Sequence, residues 1–232
     1  MKNNLIKVSF CFFLLHSQLV SAQNTFFDSM NPALKEIALP ESEENWIKLK
    51  TTSKINPETI FVEYKMAFGL SDFDKMVVNK SFQDDIGFTH HNYQQYYKSV
   101  LIDGESVNIH TNKSGETYAA TGRILKGINI ETTPKLTAQE AIDAALKFVN
   151  ATEYMWQNTF FEKELKEKKA NATYYPIPVL VIKEERNHNS GLGIFHLAYR
   201  MDIYSSSPRY SQRIFVDAHS GVIVEKYPLQ SN

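Results

Sequence analysis

Residues 194–203 read Ile-Phe-His-Leu-Ala-Tyr-Arg-Met-Asp-Ile, and this alternation of apolar and polar side chains predicts a β-strand. Successive side chains of a strand point to opposite faces of the sheet. An apolar face of this kind packs on a helix, while the other face meets solvent or a partner. The apolar face is predicted to carry Phe195, Leu197, Tyr199, Met201 and Ile203, and the other face His196, Arg200 and Asp202.

The helix that covers this strand is predicted upstream, at Thr137-Ala138-Gln139-Glu140. These residues form a capping box, in which the first residue caps the helix and the fourth reaches back to it. The apolar face of the helix is Ala141, Ile142, Ala145, Phe148 and Val149. Further strands are predicted at 179–183, 213–217 and 222–226, with His219-Ser220-Gly221 as the last hairpin turn.

An earlier segment repeats this plan of a helix followed by an antiparallel meander. Asn56-Pro57-Glu58 has the residues of a helix start, and Gly69 those of a helix end. The strands are predicted at 76–82, 92–97, 106–111 and 117–122, with turns at Asp103-Gly104 and 112–115. The fold class is therefore α+β, with two tandem small domains, each an antiparallel sheet packed on a helix.

The predicted domain boundaries follow from these units and from the segments outside them. A signal peptide occupies 1–22, a polar leader with one short helix 23–55, and a short tail 229–232. The first domain covers 56–130 and the second 131–228, with Pro134 near the boundary between them.

The N-terminus has the three parts of a secretory signal. Lys2 and Lys7 precede the apolar run 8–15, and Val20-Ser21-Ala22 predicts cleavage after Ala22. The run is too short to cross a bilayer as a helix, and a buried N-terminal strand is the alternative. The mature chain is expected to be secreted or periplasmic and to have no membrane partner.

Composition excludes several functions of the mature chain. The one cysteine, Cys11, lies inside the predicted signal, so neither a disulfide nor a cysteine nucleophile is expected. The formal net charge of −1 provides no basic surface for nucleic acid. The charge run at 162–169 is typical of a solvated helix end or loop.

Catalytic motifs are absent from the sequence. There is no His-Glu-x-x-His pair for zinc, no Gly-x-Ser-x-Gly elbow, and no phosphate-binding glycine loop. The neighbours Asp217, His219 and Ser220 lie too close around a turn for a catalytic triad. We therefore predict that the chain is not an enzyme and holds no cofactor. An enzymatic function is the least favoured of the three hypotheses for this chain; the other two follow below.

The histidines of the predicted mature chain allow one alternative, a zinc site. His90 and His91 are consecutive on a strand, so their side chains point to opposite faces. His110 is able to approach a neighbouring strand. Ordinary hydrogen-bonded surface histidines are the favoured interpretation of the set His90, His91, His110, His188, His196 and His219.

Two groups of residues resemble a known family. The stretch 85–97, Asp-Ile-Gly-Phe-Thr-His-His-Asn-Tyr-Gln-Gln-Tyr-Tyr, resembles the core of the fungalysin/thermolysin propeptide domain, together with 107–115 and Gly122-Arg123-Ile124. Ser99 stands where that family has a turn glycine, so this turn is expected to differ. Residues 136–142 and 215–223 are similar to the start and the end of a PepSY domain. Their order along 57–228 matches the propeptides of thermolysin-type zinc metallopeptidases.

This resemblance implies a function and a partner. Such propeptides inhibit the catalytic domain of the protease and assist its folding, and here the sequence stops at Asn232 without one. The implied fold is cystatin-like or PepSY-like, and the implied partner is a thermolysin-type catalytic domain. The residues expected to face its cleft are Tyr227, Pro228, Leu229 and Gln230, with Leu229 in the apolar pocket; a frayed terminal residue is the alternative interpretation of Leu229. The alternative is an extracytoplasmic PepSY-type binding module unrelated to a protease.

Overall fold

A computed structural model describes Phe26 and residues 29–186 and 193–229 of the chain. The signal sequence, His188 and Gln230 lie outside these residues. The described helices are α1 Pro32–Ile37, α2 Ile60–Glu63, α3 Ala138–Val149 and α4 Thr159–Lys168. The strands are β1 Trp46–Lys48, β2 Asp74–Gln83, β3 Thr89–Tyr97, β4 Val100–Thr111, β5 Thr117–Gly122, β6 Glu153–Tyr154, β7 Val179–Arg186, β8 Gly193–Ser207, β9 Arg209–Asp217 and β10 Ile223–Pro228.

All ten described strands belong to one sheet, which divides at β4. The strands β2, β3 and β4 form a meander, and β4 pairs on its other side with two strands in succession. Residues 107–111 of β4 pair antiparallel with β5, which pairs with β1. Residues 101–102 of β4 pair parallel with β7, which leads into β8, β9 and β10. The short strand β6 pairs with β8.

The division of the sheet occurs at a bulge in β4. Gln94 of β3 lies opposite Ser106, whereas Tyr96 lies opposite Leu101, so β4 contains extra residues between these pairs. Gly104 lies in this bulge with a positive φ of 86°. The prediction of a hairpin turn at Asp103-Gly104 is wrong. An Asp-Gly pair favours irregular backbone in general, and here the irregularity is a bulge.

The turn between β3 and β4 is formed instead by Lys98 and Ser99. Tyr97 pairs directly with Val100, so the loop has two residues, with φ of 45° at Lys98 and 67° at Ser99. Positive φ at both positions characterises the turn type that matches the twist of a hairpin. The turn at Ser99 thus places two residues with side chains in a conformation that glycine adopts more readily.

The apolar side chains form two main clusters on the sheet. The N-terminal core combines α1, α2 and the inner face of β3–β5, including Tyr93, Val107 and Ile109. The C-terminal core lies between α3 and the strands β8 and β9. Four of its buried residues precede the predicted boundary at 130: Tyr97, Ile102, Leu125 and Ile128. The described residues combine helices with one large sheet that includes a parallel pair, where two separate antiparallel sheets were predicted, and the division into two domains stays a prediction.

The structure differs from the leader predicted for 23–55. Leu34 and Ile37 of α1, Ile47 of β1 and Leu49 are buried in the N-terminal core. Each element here is too short to show a helical or strand period, so the sequence pattern appears weak. Asn31 caps α1 by accepting a hydrogen bond from Ala33 N at 2.9 Å.

The helix predicted from Asn56 is much shorter in the structure. Asn56 does accept a hydrogen bond from Glu58 N at 2.9 Å, but α2 begins only at Ile60. The chain continues through turns to Gly69, whose φ is 69°. Phe61 of α2 packs edge-on against Tyr93, with ring centroids 4.9 Å apart, and this contact joins the segment to the sheet.

The helix start at Thr137 is confirmed. Thr137 Oγ1 accepts from Glu140 N at 3.2 Å, and Glu140 Oε2 in turn accepts from Thr137 N at 2.7 Å. Ala141, Ile142 and Ala145 are the buried residues of α3. The predicted alternation of β8 is also confirmed, because Leu197, Tyr199, Met201 and Ile203 are buried in the C-terminal core.

We expect Thr137→Ala to lower the free energy of unfolding by about 1 kcal/mol, because it removes the acceptor that caps α3. Urea denaturation monitored by circular dichroism measures this change. Thr159→Ala, at an exposed position in the first turn of α4, is the control and is expected to stay within about 0.5 kcal/mol of wild type. Equal stability of the two variants would contradict the role of the capping box.

The charge run at 162–169 lies mostly in α4 and is solvated, as predicted. None of the ten residues of α4 is buried. Glu162 and Lys166 form an ion pair at 3.1 Å on the helix surface. The Lys166 side chain is 55% exposed and that of Glu162 only 15%, so the pair is partly buried on the Glu162 side.

Candidate functional site

The residues predicted to face a protease cleft lie at the end of β10. Tyr227 and Pro228 belong to this strand and pair with Arg213 and Gln212 of β9. Leu229 extends the pairing, because its backbone N donates to Ser211 O at 2.9 Å. The structure therefore makes Tyr227 and Pro228 part of the sheet, and Leu229 continues their hydrogen bonding.

The side chains at this end of β10 differ in exposure. Tyr227 and Pro228 are exposed, whereas Leu229 is half-buried. Among the described strands β10 pairs with β9 alone, so its other edge has no β-partner there. An edge strand of this kind is able to present an extended segment to another protein.

Arg213 and Asp202, next to Tyr227, form an ion pair on the surface of the sheet. Arg213 donates from Nε and Nη2 to the two carboxylate oxygens of Asp202, at 2.6 and 2.9 Å. This bidentate bond, with a smaller contribution from Tyr227, raises the pKa of Arg213 above its ordinary value. The arginine is thus a permanent positive charge beside the end of β10.

An exposed apolar strip borders the same face. Ile177 and Val179 are 66% and 41% exposed, and Tyr175 precedes them. A groove of about 220 Å³ separates these residues from Arg200 and Tyr204. Arg200 is held by an ion pair with Asp103 of β4. The groove is therefore lined by both apolar and charged side chains, including Arg213 next to β10.

A second structural feature fills the division of the sheet, and we call it the fork. It consists of Arg123, which follows β5, and its two carboxylate partners, Glu105 of β4 and Glu184 of β7. Arg123 Nη2 donates to Glu105 at 2.7 Å, and Arg123 Nη1 donates to Glu184 at 3.2 Å. Hydrogen bonds to Glu184 and then to Glu105 raise the pKa of Arg123. The fork thus joins the two branches of the sheet.

A cavity of about 740 Å³ opens beside the fork. Its walls come from both cores and include Leu34, Phe68, Val107, Leu125 and Phe195. The Nε atom of Arg123 is buried here without a hydrogen-bond partner among the described residues. This unpartnered donor lowers the stability that the ion pairs provide.

The histidines of the described residues are dispersed over the sheet. His90 and His110 meet on one face of β3 and β4, and His91 contacts Ser81 at 3.0 Å on the other. His196 lies between Glu185 and Asp217, at 3.0 and 3.1 Å. Over residues 29–186 and 193–229, no three His, Cys, Asp or Glu side chains are placed to hold one metal ion.

Asp217 ends β9, and His219 and Ser220 lie in the turn after it. Asp217 Oδ1 accepts hydrogen bonds from His219 N and from both Ser220 N and Oγ, so the carboxylate stabilises the turn. Burial by itself would raise the pKa of Asp217, but the bonds from Ser220, His196 and His219 outweigh it and lower this pKa. The ring of His219 turns away to Thr133 O at 3.0 Å.

Comparison with known proteins agrees with the first of the two resemblances. Residues 74–124 match a family model described as the fungalysin/thermolysin propeptide motif, and they extend from the start of β2 to just beyond the fork arginine. Residues 74–124 are therefore similar to a propeptide motif rather than to a catalytic domain. The resemblance of 85–97, 107–115 and 122–124 to this family is confirmed.

A curated relative extends this similarity. The chain is 29% identical over 147 residues to bacillolysin of Bacillus amyloliquefaciens. The match covers 62% of this chain and 25% of bacillolysin, so the chain spans about a quarter of the length of that relative. These findings support a thermolysin-family propeptide region.

A solved structure, the Bacillus megaterium YpeB C-terminal domain, is similar over 81% of this chain and 72% of its own. The identity is 13% and the TM-score 0.34, a level that supports no conclusion about fold or function.

None of the helices in the described residues has the length and apolar character needed to cross a membrane.

Proposed function

We propose that this chain is a secreted propeptide-like module that inhibits a thermolysin-type metalloprotease catalytic domain and assists its folding. The observation that carries the proposal is the propeptide motif at 74–124, which forms the β2–β5 part of the sheet. The similarity to bacillolysin over 147 residues supports the same assignment. On this proposal the second half of the chain, 131–228, is the PepSY-like part of the propeptide, and cleavage after Ala22 releases the mature protein to the periplasm or the medium.

The end of β10 is the proposed point of contact with the cleft. Leu229 is held in line with β10 by the hydrogen bond from its backbone N to Ser211 O, so the described chain is still extended at this residue. An extended backbone is the form in which a peptide binds to a sheet edge or a protease cleft. Leu229 is half-buried on its own sheet, and it must turn outwards to enter an apolar pocket of the partner.

We expect the purified chain to inhibit a bacillolysin-type catalytic domain slowly and saturably at micromolar concentration. Leu229→Asp is expected to raise the inhibition constant by about tenfold or more, because burial of a leucine side chain contributes about 1.5–3 kcal/mol to binding. Progress curves with a peptide substrate measure the inhibition constants of the wild-type chain and of the variant.

Val222→Asp is the matched control for this prediction. Val222 is 63% exposed and lies at the opposite end of β10 from Leu229. The control is expected to inhibit as wild type does. If the protease rapidly digests the chain and cleaves the peptide substrate at an unchanged rate, the inhibitory role is contradicted. Refolding of the denatured catalytic domain with and without the chain tests the assisting role separately.

A further inference from the structure

A row of cross-strand neighbours crosses the N-terminal part of the sheet on the face away from the core. Phe82 of β2 pairs with His90 of β3, and His90 pairs with His110 of β4. The row continues through Ala119 of β5 to Lys48 of β1. Two imidazoles are thus direct neighbours across a strand pair, where cross-strand side chains interact most strongly.

The two imidazoles face each other through the same ring atom. The Nδ1 atoms of His90 and His110 are 2.7 Å apart, and the ring planes make an angle of 78°. This distance is that of a hydrogen bond. Since a hydrogen bond needs one donor and one acceptor, one of the two nitrogens carries a proton and the other carries none.

The outer nitrogens of the pair decide which ring donates. Asp84 Oδ2 lies 3.0 Å from His90 Nε2, and an ionised carboxylate only accepts, so His90 Nε2 holds a proton. In neutral His90 the Nδ1 atom is then the acceptor, and His110 Nδ1 is the donor. His110 Nε2, 2.7 Å from Thr121 Oγ1, accepts from that hydroxyl. With both rings neutral, this is the assignment that satisfies every polar atom of the chain of bonds.

The surroundings hold this chain of bonds in place. Asp84 Oδ1 accepts from Phe88 N at 2.9 Å and from Ile86 N at 3.1 Å, which fixes the loop between β2 and β3. The hydrogen bond from His90, followed by the one from Phe88 N, lowers the pKa of the Asp84 carboxyl. The acceptor at the end of the chain is therefore ionised in neutral solution.

The other charged groups near the pair come from each neighbouring element. The ring of Tyr118 of β5 lies 6.1 Å from that of His110, and burial followed by the charge of Asp84 raises the pKa of Tyr118. Lys80 of β2 lies over the Phe82 ring, 4.8 Å from its centroid. Lys48 stands at the end of the row, and the stem of Lys113 lies against the loop at Gly87.

We infer that His90 and His110 form an acid-sensitive link between β3 and β4, in which one proton joins the facing nitrogens. The first added proton binds to His110 Nε2, after the Thr121 hydroxyl rotates so that its oxygen accepts a hydrogen bond. The His110 ring is then a half-buried cation. Another proton, on His90 Nδ1, would place two N–H groups against each other and break the link. The inference rests on this geometry and does not depend on the proposed function.

The sign of the pH effect follows from the environment of His110. Burial, and then the neighbouring His90, lower the pKa of His110 below its ordinary value. The folded state thus disfavours protonation relative to the unfolded chain, whose histidine pKa is about 6.5. The stabilising contribution is fully present above about pH 6.5 and is lost as the pH falls towards the lowered pKa of the folded state.

The test compares unfolding by urea between pH 7.5 and pH 5. In wild type, each proton gained on unfolding of this link increases the unfolding constant by up to about tenfold per pH unit within that window. His110→Gln is expected to remove this part of the pH dependence. The matched control is His91→Gln, which changes the adjacent histidine on the opposite face and is expected to keep the wild-type slope.

A measurement on the folded wild-type protein keeps the test decisive if His110→Gln does not fold. Nitrogen NMR of the imidazoles at pH 7.5 is expected to find the proton of His110 on Nδ1 and that of His90 on Nε2. Independent protonation of both rings near pH 6.5 in the folded protein would overturn the inference. So would equal pH slopes for wild type and a folded His110→Gln variant.

Discussion

Gly122→Ala is expected to lower the free energy of unfolding by about 3 kcal/mol. Gly122 ends β5 with a φ of 103°, a conformation that residues with a Cβ rarely adopt. A Cβ at this position would overlap the Ser106 carbonyl oxygen and lie 3.2 Å from Val107 Cα. The backbone of β4 would have to move away, although Val107 is buried in the N-terminal core.

The melting temperature reports this loss, which corresponds to a decrease of about 6–12 °C for a chain of this size. Gly115→Ala is the control that separates backbone conformation from the close contact. Gly115 has a φ of 80°, but nothing lies within 4 Å of a Cβ placed there. We expect it to cost about 1 kcal/mol, the strain of the conformation alone. An equal cost for both glycines would show that the approach of β4 to β5 is unimportant.

The second large effect is expected at the fork, where Arg123→Ala should cost about 3 kcal/mol. The side chains of Glu105 and Glu184 are only 13% and 10% exposed, and both bind the Arg123 guanidinium. Its removal takes a charged partner from each of two carboxylates that have little access to water, and such a loss is costly. Breaking a buried ion pair by removing one partner costs about 3–5 kcal/mol. We expect the lower end of this range because the side chain of Arg123 is 31% exposed.

The triple variant Arg123→Ala, Glu105→Gln and Glu184→Gln is the control, and it is expected to recover much of the loss. Urea denaturation at pH 7.5 measures both proteins. A single variant as stable as wild type would show that the fork does not stabilise the sheet.

Gly122 and Arg123 also show how far sequence reasoning reaches. The stretch Gly122-Arg123-Ile124 was recognised by its resemblance to the propeptide family, and 74–124 does match that motif. The partner Glu184 lies 61 positions further along the chain. No local pattern connects the two residues, so the contact becomes visible only when β7 lies beside β4.

The two histidines illustrate the same boundary. The sequence placed His90 and His91 on opposite faces of a strand and indicated that His110 was able to reach a neighbouring strand. The direct contact with His90 depends on the register of β3 against β4. That register is shifted by the bulge around Gly104, where the sequence predicted a turn. The candidate residues at the end of β10 were likewise named from resemblance, and their role in the cleft stays a prediction.

The sequence by itself determined the features that depend on near neighbours. These are the capping box at Thr137, the alternation of β8 and the hairpin turn after Asp217, because side chains within four residues govern each of them. Only the tertiary structure decided that residues before 55 belong to the N-terminal core and that a parallel β4–β7 pair makes one sheet. Such contacts depend on burial and on pairing between distant segments, which local periodicity does not encode.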